Sequence, residues 1–207
     1  LGNDTYVFNA GDGTIYSSGS SLQVDGLFDE GGEDTVRFNA SVAPANLNIT
    51  DGGNGQLRID YQVFGQPIDR MVIADGQARS IEHFEITADG TAQSLDYEAF
   101  IGRHATGHFS GTDAAGIRHV AGGNSDDLLI VAEDNALVSA GRGDDTVQLT
   151  GQNATMTVYR GDGDDTLNAL GANATLRFID QDFDEITLGR EGNGLVFGNA
   201  AGDEITV

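Results

Sequence analysis

Cysteine and tryptophan are absent from this chain, proline occurs only twice, and basic residues are few. Without cysteine there can be no disulfide and no thiolate metal site. That absence leaves the compartment open, because exported bacterial proteins lack cysteine as well. The ten Lys+Arg are outnumbered by 33 Asp+Glu, and the net charge is -23. Such a chain repels nucleic acid and anionic membranes. No run approaches the roughly 18 apolar residues that span a bilayer, so no membrane insertion is expected. Scarce proline beside 30 glycines excludes collagen and proline-rich linkers. Helical periodicity is nearly absent too; its best candidate is Ser94–Ile101.

What is present fits a folded chain. The 207 residues suit one large or two small domains, and 39% hydrophobic content argues against disorder. No N-terminal signal is visible, and the sequence opens inside a motif at Leu1-Gly2-Asn3-Asp4, so we expect a piece of something longer. Short runs such as TYVF, TVRF, LRIDYQVF, LLIV, TVQLT, TMTVY and TLRF alternate apolar with polar residues. Glycine, Asn and Asp punctuate them, so the chain reads as all-β with tight turns. The expected divisions are a β-rich segment over 1–93, a connector over 94–120 with the short helix, and a repeat region over 121–207.

Three segments of that region align without gaps: Gly122–Ile130 (GGNSDDLLI), Ala140–Gln148 (AGRGDDTVQ) and Arg160–Asn168 (RGDGDDTLN). Glycine stands second, Asp fifth and sixth, and an apolar residue eighth. The sixth-position acids are Asp127, Asp145 and Asp165, so the offsets are 18 and 20. A period near 18 with two short strands is one coil of a flattened solenoid. Stacked coils lie about 4.8 Å apart. Bare carboxylates in register at that spacing repel by roughly 3 kcal/mol at an effective dielectric near 20. A cation between neighbouring loops would turn that repulsion into attraction. Glycines let backbone carbonyls face an ion, and Ca²⁺ takes oxygen ligands.

These residues resemble the calcium-binding RTX, or haemolysin-type, nonapeptide Gly-Gly-x-Gly-x-Asp-x-apolar-x. The matches are Gly141, Gly143, Asp145 and Val147; Gly161, Gly163, Asp165 and Leu167; and Gly122, Gly123, Asp127 and Leu129, with Ser125 in place of a glycine. The resemblance implies a β-roll, or parallel β-solenoid, whose metal residues would be Gly123, Ser125, Asp127, Gly141, Gly143, Asp144, Asp145, Gly161, Gly163, Asp164 and Asp165. In the family the nonapeptides usually run on directly and place loops on both edges. Here VAEDNALVS and LTGQNATMTVY fill the alternate slots without the motif. Calcium is therefore expected along one edge only, as about two ions, with the second gap open to distortion by the longer offset. Asp144 is the less certain acid and is expected to lend its carbonyl.

The first half carries looser echoes, in LGNDTYVF and GGEDTVRF, and reads as sandwich-like or as a continuation of the solenoid. Asp4 and Asp34 are weaker metal candidates there, and Asp162 is another in the third loop. Asp180–Glu191 superficially resembles an EF-hand loop, but Glu185 stands where glycine is needed, which favours an acidic turn before a strand. His104, His108 and His119 read as surface or strand histidines rather than a zinc site. Asn153-Ala154-Thr155 and Asn173-Ala174-Thr175 fit the glycosylation pattern by chance. No nucleophile elbow or phosphate loop is present, no aromatic-lined cleft is visible, and no catalysis is expected within these residues.

The resemblance implies a calcium-binding folding module of a large protein exported by type I secretion from a Gram-negative bacterium. An adhesin-like surface protein, with a cell-surface or polysaccharide ligand belonging to the parent, is the preferred expectation. The alternatives are the C-terminal module of a secreted protease, lipase or polysaccharide-acting enzyme with catalysis upstream, and a surface-layer subunit.

Overall fold

A computed structural model describes residues 2–11, 25–27, 32–64, 68–74, 76–78, 80–88, 90–113 and 115–207. The chain divides into two compact units, Leu1–Phe100 and Ile101–Val207.

The described strands of the first unit are β1 (Thr5–Phe8), β2 (Asp25–Leu27), β3 (Thr35–Phe38), β4 (Leu47–Gly53), β5 (Gln56–Tyr61), β6 (Asp69–Ile73), β7 (His83–Ala88) and β8 (Thr91–Asp96). They form two sheets, β1-β3-β7-β8 and β2-β6-β5-β4. β1, β3 and β7 run parallel, as do β2 and β6, while the hairpins β7–β8 and β4–β5 are antiparallel. Parallel pairing of strands so far apart in sequence is solenoid-like rather than that of an antiparallel sandwich. Alternation explains the core: Val36 and Phe38 are buried while Arg37 between them is exposed. The rings of Phe84 and Phe100 stack at 3.9 Å, with Phe38 stacked on Phe100 at 5.8 Å.

The helix α1 (Tyr97–His104) starts three residues later than the periodicity predicts. Ser94, Leu95 and Asp96 stay paired with β7, and the Asp96 carboxylate accepts the Ala99 N–H at 2.9 Å. Asp96 is thus the N-cap, and the helix cannot begin before it.

In the second unit the strands are β9 (Phe109–Thr112), β10 (Arg118–Ala121), β11 (Leu128–Val131), β12 (Leu137–Ser139), β13 (Thr146–Leu149), β14 (Thr155–Val158), β15 (Asp165–Ala169), β16 (Thr175–Phe178), β17 (Thr187–Glu191), β18 (Gly194–Gly198) and β19 (Glu204–Thr206). One sheet is ordered β16-β14-β12-β10-β9 and the other β11-β13-β15-β19-β18-β17. The chain crosses between the sheets after each strand from β10 to β16, which is the coil of a β-solenoid. Register follows the repeat: Leu129 pairs with Val147 and Val147 with Leu167. Opposite them, Val120, Val138, Met156 and Leu176 form the matching row. These rows are the core, joined by Ala136, Ala140 and Ala154.

After β16 the chain leaves the coil. It makes a 3₁₀ turn at Phe183–Glu185 and the hairpin β17–β18, and returns as β19 to pair with β15 through Asp165–Ile205 and Thr166–Thr206. The fold is all-β and solenoid-like, as the repeat implies.

A column of acidic loops as candidate metal centre

The three nonapeptide loops lie on one edge of the second unit, each leading into a strand of the same sheet. Their stacking is closer than side chains would allow. A Cβ on Gly122 would fall 1.6 Å from the Ala140 carbonyl oxygen, one on Gly141 2.2 Å from that of Gly123, and one on Gly163 2.1 Å from that of Gly143. Gly141, Gly143, Gly161 and Gly163 also hold positive φ, between 81° and 124°. Ser125 departs from the motif for a geometric reason. Gly143 is required because its missing Cβ would strike Ser125 and Asp126 of the loop before it. Ser125 belongs to the first loop, with no nonapeptide loop ahead of it, and it is exposed.

The acids form two ladders. Each sixth-position carboxylate reaches back one coil: Asp145 Oδ1 accepts the Asp127 N–H at 2.6 Å, and Asp165 Oδ1 accepts the Asp145 N–H at 3.1 Å. Asp127 Oδ2, at the head of the column, accepts from Gly123 N–H within its own loop. Each fifth-position carboxylate reaches forward instead. Asp126 accepts from Asp144 N–H, Asp144 from Asp164 N–H and Asp164 from Glu204 N–H, at 3.0 to 3.1 Å. Asp144 and Asp164 are exposed, so their carboxylates meet water as well.

The inner ladder is incompletely satisfied. Asp145 and Asp165 are 2% and 3% exposed, and Oδ2 of each is buried without a hydrogen-bond partner. Burial, then the neighbouring carboxylates, pushes Asp145 up to about 7 despite its bond from Asp127. Burial likewise lifts Asp165 to about 8, with Asp145, Asp162 and Asp144 adding to it. Asp162 is also buried; its Oδ2 accepts the Tyr159 N–H at 2.7 Å, and burial with Asp203, Asp180 and Asp145 nearby lifts it to about 7. The 20-residue offset does not disturb strand register. Its two extra residues lie between Asn153 and Asp165, beside Tyr159 and Arg160, and Asp162 ties that longer loop down. The donors are all oxygens, which suits a hard cation and excludes a soft one.

In the fourth rung Ile205 takes the sixth-position place beside Asp165, while Asp203 Oδ2 accepts the Gly161 N–H at 2.7 Å and Glu204 takes the fifth position. The far edge has its own repeat, which the reading of those slots as motif-free missed. Asn135, Asn153 and Asn173 hold φ of 56° to 61°, and each precedes an alanine. Gly151 and Gly171 stack there against Glu133 and Gly151 carbonyls as closely as the loop glycines do. The signal was legible as Asn-Ala at offsets of 18 and 20.

The first unit contains a shorter version of the same ladders. Asp34 Oδ1 accepts the Asp4 N–H at 2.7 Å, Glu82 Oε2 accepts the Asp34 N–H at 2.8 Å, and Asn3 accepts from Glu33 N–H at 3.2 Å. Glu82, raised chiefly by burial, was not singled out in the sequence; its place one residue before β7 matches that of Asp34 before β3.

The remaining candidates separate. In the Asp180–Glu191 segment Asp182 and Glu185 form a capping box on the 3₁₀ turn, Glu185 pairs with Arg160, and Thr187–Glu191 is strand β17, so it is an acidic turn before a strand. His104 ends α1, where burial and then Arg103 and Arg142 hold it down at about 4. His108 is exposed, 3.9 Å from Asp127 Oδ1, and His119 is buried on β10, 3.0 Å from Asp113 Oδ2. Among the described residues no three His, Cys, Asp or Glu side chains are gathered as a metal-holding group. Among them, too, no helix is long and apolar enough to cross a membrane.

No family model matches the chain, and no curated protein matches it in sequence. Among solved structures, the extracellular lipase LipA from Serratia marcescens aligns over 99% of this chain at 16% identity, with a TM-score of 0.36. The alignment covers 35% of the lipase, so the chain spans about a third of that protein's length.

Proposed function

We propose that this chain is a calcium-binding structural module of a large secreted or cell-surface bacterial protein, adhesin-like in role. The observation that carries the reading is the pair of buried, unpartnered carboxylate oxygens of Asp145 and Asp165, stacked in one column with Asp127. A buried carboxylate oxygen without a partner is costly, and a cation is the partner that suits one lying beside another. Asp127, Asp145 and Asp165 would hold about two Ca²⁺ ions, with main-chain oxygens of Gly123, Ser125, Gly141, Gly143, Asp144, Gly161, Gly163 and Asp164 completing the shells. Asp162 is a further contributor, and Asp4, Asp34 and Glu82 are the weaker set in the first unit. Calcium would neutralise the column and join adjacent coils. With a net charge of -23 opposing collapse, a folded state that alone binds the ion is stabilised by it.

Thermal unfolding with excess Ca²⁺ and with a chelator tests this. A rise in midpoint with calcium is expected; coincident curves would sink the proposal. Titration calorimetry sharpens it. Asp145 stands between Asp127 and Asp165, so Asp145→Ala should lower calcium affinity more than Asp165→Ala, and equal losses would remove the stacked geometry.

A further inference from the structure

The two ends of the second unit's roll differ from each other in a complementary way. At the first end, the sheet containing β10 runs one strand further, to β9, while the other sheet stops at β11. A cavity of about 160 Å³ lies in that step, lined in part by Ser110, Arg118, Leu128, Leu129, Ile130 and Glu133. Successive side chains of a strand point to opposite faces. Three consecutive residues can line one cavity only if it runs along the strand's open edge, so the step is a slot beside β11.

At the second end the offset is reversed. One sheet stops at β16, while the other continues through β19 to β18 and β17. Leu188 is paired to Phe197 and Phe197 to the core residue Ile205, so Leu188 lies on the core side of its sheet. It is nonetheless 66% exposed, and Leu195 is 46% exposed. β17 is exposed along its whole length.

Direction matches as well. β11, β13, β15 and β19 are parallel, and two antiparallel steps lead from β19 to β17, so β17 points the same way as β11. Shifting one copy along the stacking direction sets its β11 beside β17 of another as a parallel pair. β17 then lies over the overhanging β9 of the shifted copy, and β18 faces the one-strand space between that β9 and β16. Arg118 and Glu133 line the slot and β17 ends on Arg190 and Glu191, with the acids Asp126 and Asp127 before β11 and Asp184 and Glu185 before β17 as the flanks.

We propose that the second unit docks head to tail with a second copy of itself, β17 of one entering the slot beside β11 of the next. Unlike surfaces meet, so the contact does not close on itself and repeats as a line. It rests on the shape of the roll and not on the calcium reading.

Sedimentation velocity of the full chain in millimolar calcium, from micromolar to sub-millimolar protein, tests this. Wild type should form a concentration-dependent series of species, larger in 0.15 M salt than in dilute buffer because screening of the acidic flanks is stronger there (Debye length about 8 Å). Leu188→Glu and Leu128→Glu each place a charge at one exposed end and should each leave only monomer. Mixed one to one, they retain one intact end apiece and should give a dimer and nothing longer. A wild type that stays monomeric, assembly that survives in either variant, or a mixture that grows past the dimer would overturn the proposal. Cross-linking reads the register independently. Gly189 and Leu128 fall in the same row across the sheet, so Gly189→Cys with Leu128→Cys in one chain should oxidise to a ladder of linked chains. The chain has no cysteine of its own, so monomer alone on oxidation would also overturn it. Loss of assembly alongside an intact calcium-dependent melt would fault the docking alone.

Discussion

Gly161 and Gly163 stand two residues apart in one loop and serve different needs. Gly161 holds φ 81° with open space where a Cβ would go, whereas Gly163 holds φ 118° with a carbonyl oxygen 2.1 Å from that place. Gly161→Ala should cost about 1–2 kcal/mol, the strain of a left-handed residue. Gly163→Ala adds a backbone overlap and should cost about 3 kcal/mol or more. Urea midpoints of the two variants check this, and equal shifts would show that the loops are looser than they stand here. The aspartates make a second prediction. In ion-free protein Asp145, Asp162 and Asp165 keep their protons up to about 7, 7 and 8, while unfolded aspartate loses its proton near 4. Between these values the folded state binds more protons, so stability should fall as pH rises from about 4 to 8. On the proposed function calcium would bind the ionised form, so its affinity should rise over the same window, with protons released. Melts of calcium-stripped protein across pH, paired with calcium titrations in two buffers of different ionisation enthalpy, measure both. Melting midpoints that are flat from pH 4 to 8 would refute it.

Elements were legible where alternation was strong. The runs TVRF, TVQLT, TMTVY and TLRF became β3, β13, β14 and β16. β9 and β10 were not picked out, because FSGT and RHVA carry too few apolar residues to alternate visibly. β15 was hidden inside the motif, since Asp165 is both the loop's acid and the strand's first residue. The helix was foreseen but displaced, because β8 holds Ser94–Asp96 in a ladder. The far-edge turns show what local conformation demands. Asn153 sits at φ 56°, a region that asparagine and glycine tolerate and β-branched residues do not. Asn153→Gly should leave stability within a few tenths of a kcal/mol, while Asn153→Val should cost about 1–2 kcal/mol, read by thermal unfolding. The same shift for both substitutions would mean that the asparagine side chain, not its backbone, matters there.

At the scale of the whole molecule, the sequence determined the fold class and the place of the loops. Period, glycine and aspartate spacing are local properties, and a solenoid repeats local geometry with a fixed offset. That is why Asp127, Asp145 and Asp165 are legible as a column in the sequence itself. What only the tertiary structure decided involves contacts between coils and between distant strands. Which carboxylate oxygens go unbonded depends on whose N–H the neighbouring coil presents. The parallel pairing of β1, β3 and β7, which brings Glu82 beside Asp34, runs over offsets of 30 and then 48 residues, with no regular period. The excursion through β17 and β18, after which Ile205 stands where the next inner aspartate would be and an edge is left overhanging, likewise depends on β19 returning to β15 across 40 residues. A short-range pattern cannot encode such closures, because they are fixed by which core surface remains open when the chain comes back.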